Sequence, residues 1–348
     1  MLRFIDGFDH YATADMGGKW TTVVTGTIST TTVHTAPGSL ASTGTGISAQ
    51  FTDTLGGNQA TRGVGFWFYR EGAIDRIFCA FRESDGTNHI GIRINADGTL
   101  SVVRGALNGA VGTTVLATST NATLADTWYH IEFKATINNS TGAYKVHVNG
   151  SSTGWIPEAT GVDTREGGTV GAANQLIIGG AGANCFFDDL YFFDDVAGDG
   201  FTDFKGVCEV VTRIASSGDG THADFTPSTG TDNGAMVDDA TPDGDTTYNA
   251  SSTVGHRDSY NFSALGITGT IHGLQLNNWC RNSDAGARSV NGFYQSTSSP
   301  GITDGTNVVA LSTSYIDVRE PWGENPETTN AWTVSEIDAA EFGLEVQA

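Results

Sequence analysis

Two acidic runs contain the residue types from which a reactive or metal-binding site is built. The first is "CFFDDLYFFDDVAGDG", which sets Asp188-Asp189 and Asp194-Asp195 among Phe and Tyr. Carboxylates that converge from a loop hold Ca²⁺, and two that meet across a cleft work as general acid and base. On a regular strand, however, Phe186, Asp188, Leu190 and Phe192 share one face. Phe187, Asp189, Tyr191 and Phe193 share the other, so adjacent carboxylates point apart. The residues therefore favour a structural role. An Asp with apolar neighbours two positions away is partly buried and accepts from turn N–H groups or a nearby Arg. Asp188 and Asp189 remain secondary Ca²⁺ candidates.

The second run is "DDATPDGDTTY", with Asp238, Asp239, Asp243 and Asp245. It lacks the EF-hand spacing and the Glu at its twelfth position. It reads as an Asx-rich turn whose carboxylates accept from local backbone N–H groups, and Asp239, Asp243 and Asp245 are kept as Ca²⁺ candidates. His130 and His147 fall on the polar faces of two strands and would be neighbours if those strands pair. Two imidazoles fall short of the ligands a zinc site needs. Trp155, in the loop "STGWIPEATG", is a candidate for stacking on a sugar or a partner, with a loop anchor as its plainer role. The chain has no G-x-S-x-G elbow, H-E-x-x-H or Walker loop. "GVGFW" and "GGAGAN" are Gly-rich but follow no βα pattern. No catalytic residue and no cofactor is expected.

The elements that position these residues read as strands. "RGVGFWFYREG" is a continuous apolar run suited to a central strand, with Trp67 in the core. In "RIFCAFRES", Ile77, Cys79 and Phe81 fall on one side. In "HIGIRINADGTLSVVRG", Ile90, Ile92 and Ile94 face one way, Asp97-Gly98 closes a hairpin, and Leu100 and Val102 return. "DTWYHIEFKATI" puts Tyr129, Ile131, Phe133, Ala135 and Ile137 on one face. Tyr144, Val146 and Val148 follow on the partner strand of a second hairpin.

Composition agrees. Of 348 residues 46 are Gly, and only 16% are charged. This abundance of turn formers and β-branched residues belongs to an all-β chain. The net charge of −22, from 17 basic and 39 acidic residues, excludes the basic patches of nucleic-acid binding and the polybasic anchors of membrane surfaces. It fits a soluble surface that resists non-specific contact. Cys79, Cys185, Cys208 and Cys280 are far apart in sequence, with no CxxC pair. The N-terminus has no apolar core of a signal peptide, and no run reaches the length of a membrane span.

The ordered set "GFWFY", "IGIRI…GTLSV", "WYHIEFKATI…GAYKVHVNG" and "LIIGG…FFDDLYFF" resembles the laminin-G or concanavalin-A-like jelly roll over residues 1–195. The resemblance implies that the closing Asp-Asp-aromatic strand lies beside the N-terminal strand "MLRFIDGFDHY". "DDVAGDGFTDFKG", residues 194–206, then reads as a Gly-Asp exit, with 196–206 as the linker. A second β-domain over 207–348 begins with the alternating "VCEVVTRIA". It continues through a loop-rich stretch, and "RDSYNFSAL" and "TGTIHGLQLNNWCRNSD" form a strand pair. It ends in a helix over about Val334–Glu341, capped by Thr333 and Glu336, stopped at Gly343 and followed by "LEV".

The order "GDGTHADFTPSTGTDN", "IHGLQLNNWCRNSDAG" and "GENPETTNAWTVSEIDAAEFGLEV" is similar to a domain of bacteriophage virion proteins. The N-terminal "RFIDGFDHYATADMGGKW" also resembles phage jelly-roll proteins. The fold class expected is all-β, with two β-sandwich domains: an N-terminal concanavalin-A-like jelly roll and a C-terminal β-sandwich with one short helix. The resemblance implies a non-enzymatic structural protein of the virion, assembled in the host cytoplasm. Its place would be the tail tip, the baseplate or a short tail fibre. Its partners would be copies of itself in a symmetric homo-oligomer, neighbouring virion proteins and, through loops, a host-surface glycan. Neither nucleic acid nor membrane insertion is expected. A capsid decoration or head-fibre protein and a lectin-like carbohydrate-binding module stand as alternatives.

Overall fold

A computed structural model describes residues 1–44, 47–105, 114–179, 184–296 and 301–348. Residues 180–183, the middle of "GGAGAN", lie outside the described residues. The chain divides into two compact units, Met1–Val210 and Val211–Ala348, and is all-β.

The first unit is a sandwich of two antiparallel sheets. One sheet runs Ala159–Val162, Gly142–Val148, Tyr129–Thr136, Thr61–Arg70, Cys185–Asp194, Ser39–Ser42 and Gly26–Ser29, with Leu2–Asp6 also paired to Cys185–Asp194. The other runs Thr114–Ala122, Thr99–Arg104, Asn88–Ile94, Arg76–Arg82, Gln175–Gly179, Ile47–Thr52 and Thr22–Val23. Thr61–Arg70 is central as expected, and the N-terminal strand lies antiparallel to the closing strand, Ile5 opposite Tyr191. The core between the sheets takes Ile90, Ile92, Ile94, Leu100 and Val102 from one side and Ile131, Phe133, Val146, Phe187, Leu190 and Phe192 from the other. The Asp97-Gly98 turn closes its hairpin with Gly98 at φ +87°, a conformation open to glycine.

Among the irregularities in pairing, two break the alternation read from the sequence. Between Ile77 and Cys79 the pairing slips. Phe78, Cys79 and Phe81 then all join the core, and Ile77 turns outward into a small cluster with Ala80, Val103 and Ile177. The closing strand slips between Asp188 and Tyr191, and this second irregularity builds the site described below.

The expected linker 196–206 belongs to the first unit. Phe201 is buried, and with Phe204 and Cys208 it joins Leu2, Tyr191 and Phe193 in a second apolar cluster outside the sandwich. Gly63 and Gly65 make room for this cluster: a Cβ at either would fall on the ring of Phe193 or Tyr191. "VCEVVTRIA" is likewise no strand through Ile214. Its alternation has no neighbouring strand to pair with, so residues 199–210 cross the outer face of the first sheet as an extended strap.

In the second unit, Ala215–Ala223, Arg257–Phe262, Glu341–Gln347, Ser289–Gln295 and Ile302–Asp304 form the main sheet, with Val309–Ala310 also paired to Ser289–Gln295. Leu274–Cys280 and Ile316–Trp322 form a separate two-stranded ribbon. The expected pairing of "RDSYNFSAL" with "TGTIHGLQLNNWCRNSD" is therefore corrected: the two lie in different layers. Leu276, Trp322, Val318 and Cys280 of the ribbon pack with Phe342, Tyr294, Leu344 and Val290 of the sheet. The helix is shorter than expected, Val334–Asp338, and Thr333 and Glu336 cap it reciprocally. Gly343 does not stop it but sits mid-strand, where a Cβ would strike the Asp258 carbonyl.

Candidate functional site

The slip in the closing strand places one extra residue between Asp188, opposite Trp67, and Tyr191, opposite Gly65. Asp189 takes up the bulge with φ +50°, a left-handed conformation that Asp tolerates better than most residues. The expectation that the two carboxylates point to opposite faces is corrected by this bulge. Both turn to the loop 32–38. Asp188 Oδ2 accepts from the backbone N–H groups of His34 (2.8 Å) and Thr35 (3.1 Å), and Oδ1 accepts from Asp189 N–H (2.9 Å). Asp189 Oδ1 accepts from the Thr35 hydroxyl (2.8 Å) and from Val210 N–H (2.9 Å). Its Oδ2 lies 2.8 Å from His34 Nδ1.

His34 stacks on Trp67, with ring centroids 3.7 Å apart, and meets Trp128 edge-on at 5.7 Å. Trp128 in turn lies 5.3 Å from Tyr69. All four rings are half-buried. Trp67 is thus not a core residue as expected: it lies on the outer face and donates its Nε1–H to Cys208 O at 2.9 Å. His130 packs edge-on to Trp67 at 5.4 Å, with Cys208 Sγ 4.0 Å from its Nε2. Two residues along, Glu132 Oε1 accepts from Tyr191 OH (2.5 Å) and from the N–H groups of Lys205 and Gly206 (2.8 Å each). The histidine-bearing strands do pair, but His147 stands opposite Glu132, not His130. Its Nδ1 is 3.9 Å from Glu132 Oε2.

Burial sets the protonation states here. It pushes the Asp188 carboxyl up to about 8, with the Asp189 charge adding to the effect and three N–H bonds opposing it. It holds the His130 imidazole down to about 4, helped by His34. It raises the Cys208 thiol to about 12, with Glu132 and Asp189 reinforcing, so this sulfur stays protonated and unreactive. Chemically, the arrangement offers one imidazole oriented through Nδ1 by a carboxylate, the geometry that directs the other ring nitrogen toward a proton donor or acceptor. His34 Nε2 makes no hydrogen bond among the described residues.

The remaining sequence candidates lie elsewhere. Asp194 is fully buried, 2.7 Å from Arg3 and 3.3 Å from Arg62, in a cluster with Asp53; Asp195 is exposed. In the second unit Asp243 accepts from Thr247 N–H, and the Thr247 hydroxyl lies 2.8 Å from Asp243 and 3.1 Å from Asp239. Asp238 is exposed. Asp245 pairs with Arg281 (2.8 Å) and with Tyr315 OH (2.7 Å). Each of the five Ca²⁺ candidates thus has at least one oxygen facing a protein donor. Among the described residues, no group of three or more His, Cys, Asp or Glu is placed to hold a metal ion. Trp155 is half-buried against the core, edge-on to Tyr129 at 6.1 Å, which is the anchor geometry. His34, Thr35 and Glu132 carried no signal in the sequence. Their partners lie 59 to 155 positions away, and no local spacing reveals such pairs.

No family model matches the chain, and no curated protein matches it. Several solved structures do. A Trypanosoma rangeli sialidase in complex with the inhibitor DANA is 13% identical with a TM-score of 0.33, over 48% of this chain and 27% of that one. The alginate lyase vAL-1 from Chlorella virus is 12% identical at 0.35, over 52% and 95%. Domain 4 of the Geobacillus stearothermophilus arabinanase AbnA, in complex with arabinotriose, is 15% identical at 0.30, over 49% and 75%. The chain spans about a quarter (27%) of the length of the sialidase. The expectation that the chain is no enzyme is corrected here, because the proteins it is similar to are a sialidase, a lyase and an arabinanase. At this identity they assign it no reaction either. Among the described residues, no helix is long and apolar enough to cross a membrane.

Proposed function

We propose that the chain is a structural component of a bacteriophage particle, at the tail tip, the baseplate or in a short tail fibre. It would work through contacts with copies of itself and with neighbouring virion proteins. The single observation behind this reading is the use made of the closing-strand acids. Asp188 and Asp189 tie down the loop 32–38, and Asp189 also holds the strap 199–210 through Val210. The most chemistry-laden residues of the sequence thus build the outer face of a sheet, and outer faces and loops are where oligomeric assemblies make contact. The sequence resemblance to virion proteins supplies the setting. Capsid decoration or a head fibre would use the same surfaces.

The test is to purify particles and measure the copy number of this chain by quantitative mass spectrometry, then to locate a labelled version by electron microscopy. Density around the tail axis supports the tail reading, and density on the capsid lattice moves it to the head. A chain missing from washed particles refutes the proposal.

A second reading is favoured by the half-buried row Tyr69–Trp128–His34. Aromatic rings of this kind, apolar with a polar tip, suit the face of a sugar ring. Host-surface glycan binding would then run through Trp128, in place of Trp155. A glycan array probed with native protein and Trp128→Ala tests it: a ligand lost on substitution supports the reading, and an array without ligand ends it.

A further inference from the structure

The strap 199–210 contains neither helix nor strand, so no ladder holds it. Its backbone donors instead reach side chains. Lys205 and Gly206 N–H converge on Glu132 Oε1, and Val210 N–H goes to Asp189 Oδ1. Trp67 Nε1–H reaches Cys208 O, and Lys134 Nζ reaches Thr202 O at 2.8 Å. Phe201, Phe204 and Cys208 supply its apolar contacts.

The fit is incomplete beneath it. Glu132 Oε2 and His130 Nδ1 are buried without a hydrogen-bond partner, although both side chains are sealed from solvent. A buried polar atom left unpaired destabilises the state that buries it. Both atoms would gain water if the strap lifted.

We propose that residues 199–210 form a releasable strap, docked on the outer face of the first sheet at neutral pH and freed by acid through protonation of His130. The charged and titratable groups around this imidazole allow that direction. On the strap it faces the Cys208 thiol. On the loop 32–38 it faces His34, whose charge opposes a second positive charge. On its own strand Glu132 Oε1 is occupied by Tyr191 and by the strap itself, and Oε2 faces His147 of the neighbouring strand at 3.9 Å. Asp189 of the closing strand is taken by His34, Thr35 and Val210. In the docked state His130 Nδ1 has no hydrogen bond to any of these groups.

The sign follows from linkage. The docked imidazole titrates at about 4 against the ordinary 6.5, so protons bind the released form more tightly and acid favours release. The docked-to-released ratio falls roughly 30-fold between neutral pH and pH 5, and roughly 300-fold at the acid limit. Asp188 acts in the other sense, because its raised carboxyl is neutral in acid. Its donors are His34, Thr35 and Asp189 N–H, none of them in the strap. The loop 32–38 should therefore stay in place as the strap leaves.

Hydrogen exchange on the full chain at pH 7.5 and pH 5.0, corrected for intrinsic rates, tests this. We expect the amides of Lys205, Gly206 and Val210 to lose at least about tenfold in protection at pH 5.0, with Ile131 and Phe133 unchanged. His130→Gln, which cannot be protonated, should keep strap protection at both pH values. Strap protection equal at the two pH values in native protein overturns the proposal, whether or not the variant folds. A loss of the same size in folded His130→Gln overturns it as well.

Discussion

The two Asp runs look alike in sequence and differ in almost every physical respect. Asp188 and Asp189 have no solvent exposure and sit on a bulge, with donors from two distant segments. The 238–245 run lies on the surface of the other unit, and Asp245, its best-tied member, has a side chain 62% exposed. One set holds tertiary structure together, and the other mainly shapes a turn. The lesson is that carboxylate spacing says little until the backbone decides whether water or protein supplies the donors.

The sharpest way to break this contrast is to remove Asp189. Asp189→Ala leaves Val210 N–H, the Thr35 hydroxyl and His34 Nδ1 without their acceptor. It also forces Ala into a left-handed conformation. Losing one partner of a buried charged network costs about 3–5 kcal/mol. In calorimetry the first-unit transition should drop by many degrees while that of the second unit stays fixed. A shift of a degree or less would show that the bulge contacts are dispensable.

The next effect is one of pH. Asp188 is raised when folded, so its contribution is fully present below its unfolded value near 3.8 and is lost as pH climbs toward about 8. His130 is depressed when folded, so its contribution is present above about 6.5 and is lost as pH falls toward about 4. The two oppose each other between 4 and 6.5, and among this pair only Asp188 acts between 6.5 and 8. First-unit stability measured from pH 6.5 to 8 should therefore fall in native protein and flatten in Asp188→Asn. An unchanged slope in the variant would move the titration to another group.

A smaller effect is steric. Gly65 faces the ring of Tyr191 with no space for a Cβ, and Tyr191 OH holds Glu132. Gly65→Ala should cost about 1–3 kcal/mol as the ring is displaced, read by urea unfolding. It should also raise exchange at Lys205 and Gly206, because their acceptor moves with the ring.

What could be read from sequence follows from what is local. The alternation of Ile90, Ile92 and Ile94 and the Asp97-Gly98 turn are short-range signals, and the hairpin they specify is present. The Asp-Asp closing strand lies beside the N-terminal strand, which only the resemblance to jelly rolls implied. The bulges at 77–79 and 188–191 were invisible, since one extra residue leaves no mark on composition. Ser216–Ala223 reads as loop because its Ser, Gly, Asp and Thr show no apolar alternation. The strand Ala215–Ala223 lies at the edge of its sheet, with every residue at least partly exposed. "VCEVVTRIA" erred the other way: it alternates like a strand, but the outer face offers carboxylates in place of a partner edge.

The smallest expected effect completes the contrast. Asp245 accepts from Arg281 and from Tyr315, which on paper makes it as well bonded as Asp188. Its bonds compete with water, however, and ion pairs this exposed contribute little to stability and are screened by salt. Asp245→Asn keeps an acceptor for Tyr315 and removes only the charge. Its second-unit transition should coincide with that of native protein within error, at low and at high salt. A clear loss in the variant, largest at low salt, would mean that Asp245 and Arg281 act as a structural pair and that the surface run deserves the weight given to the buried one.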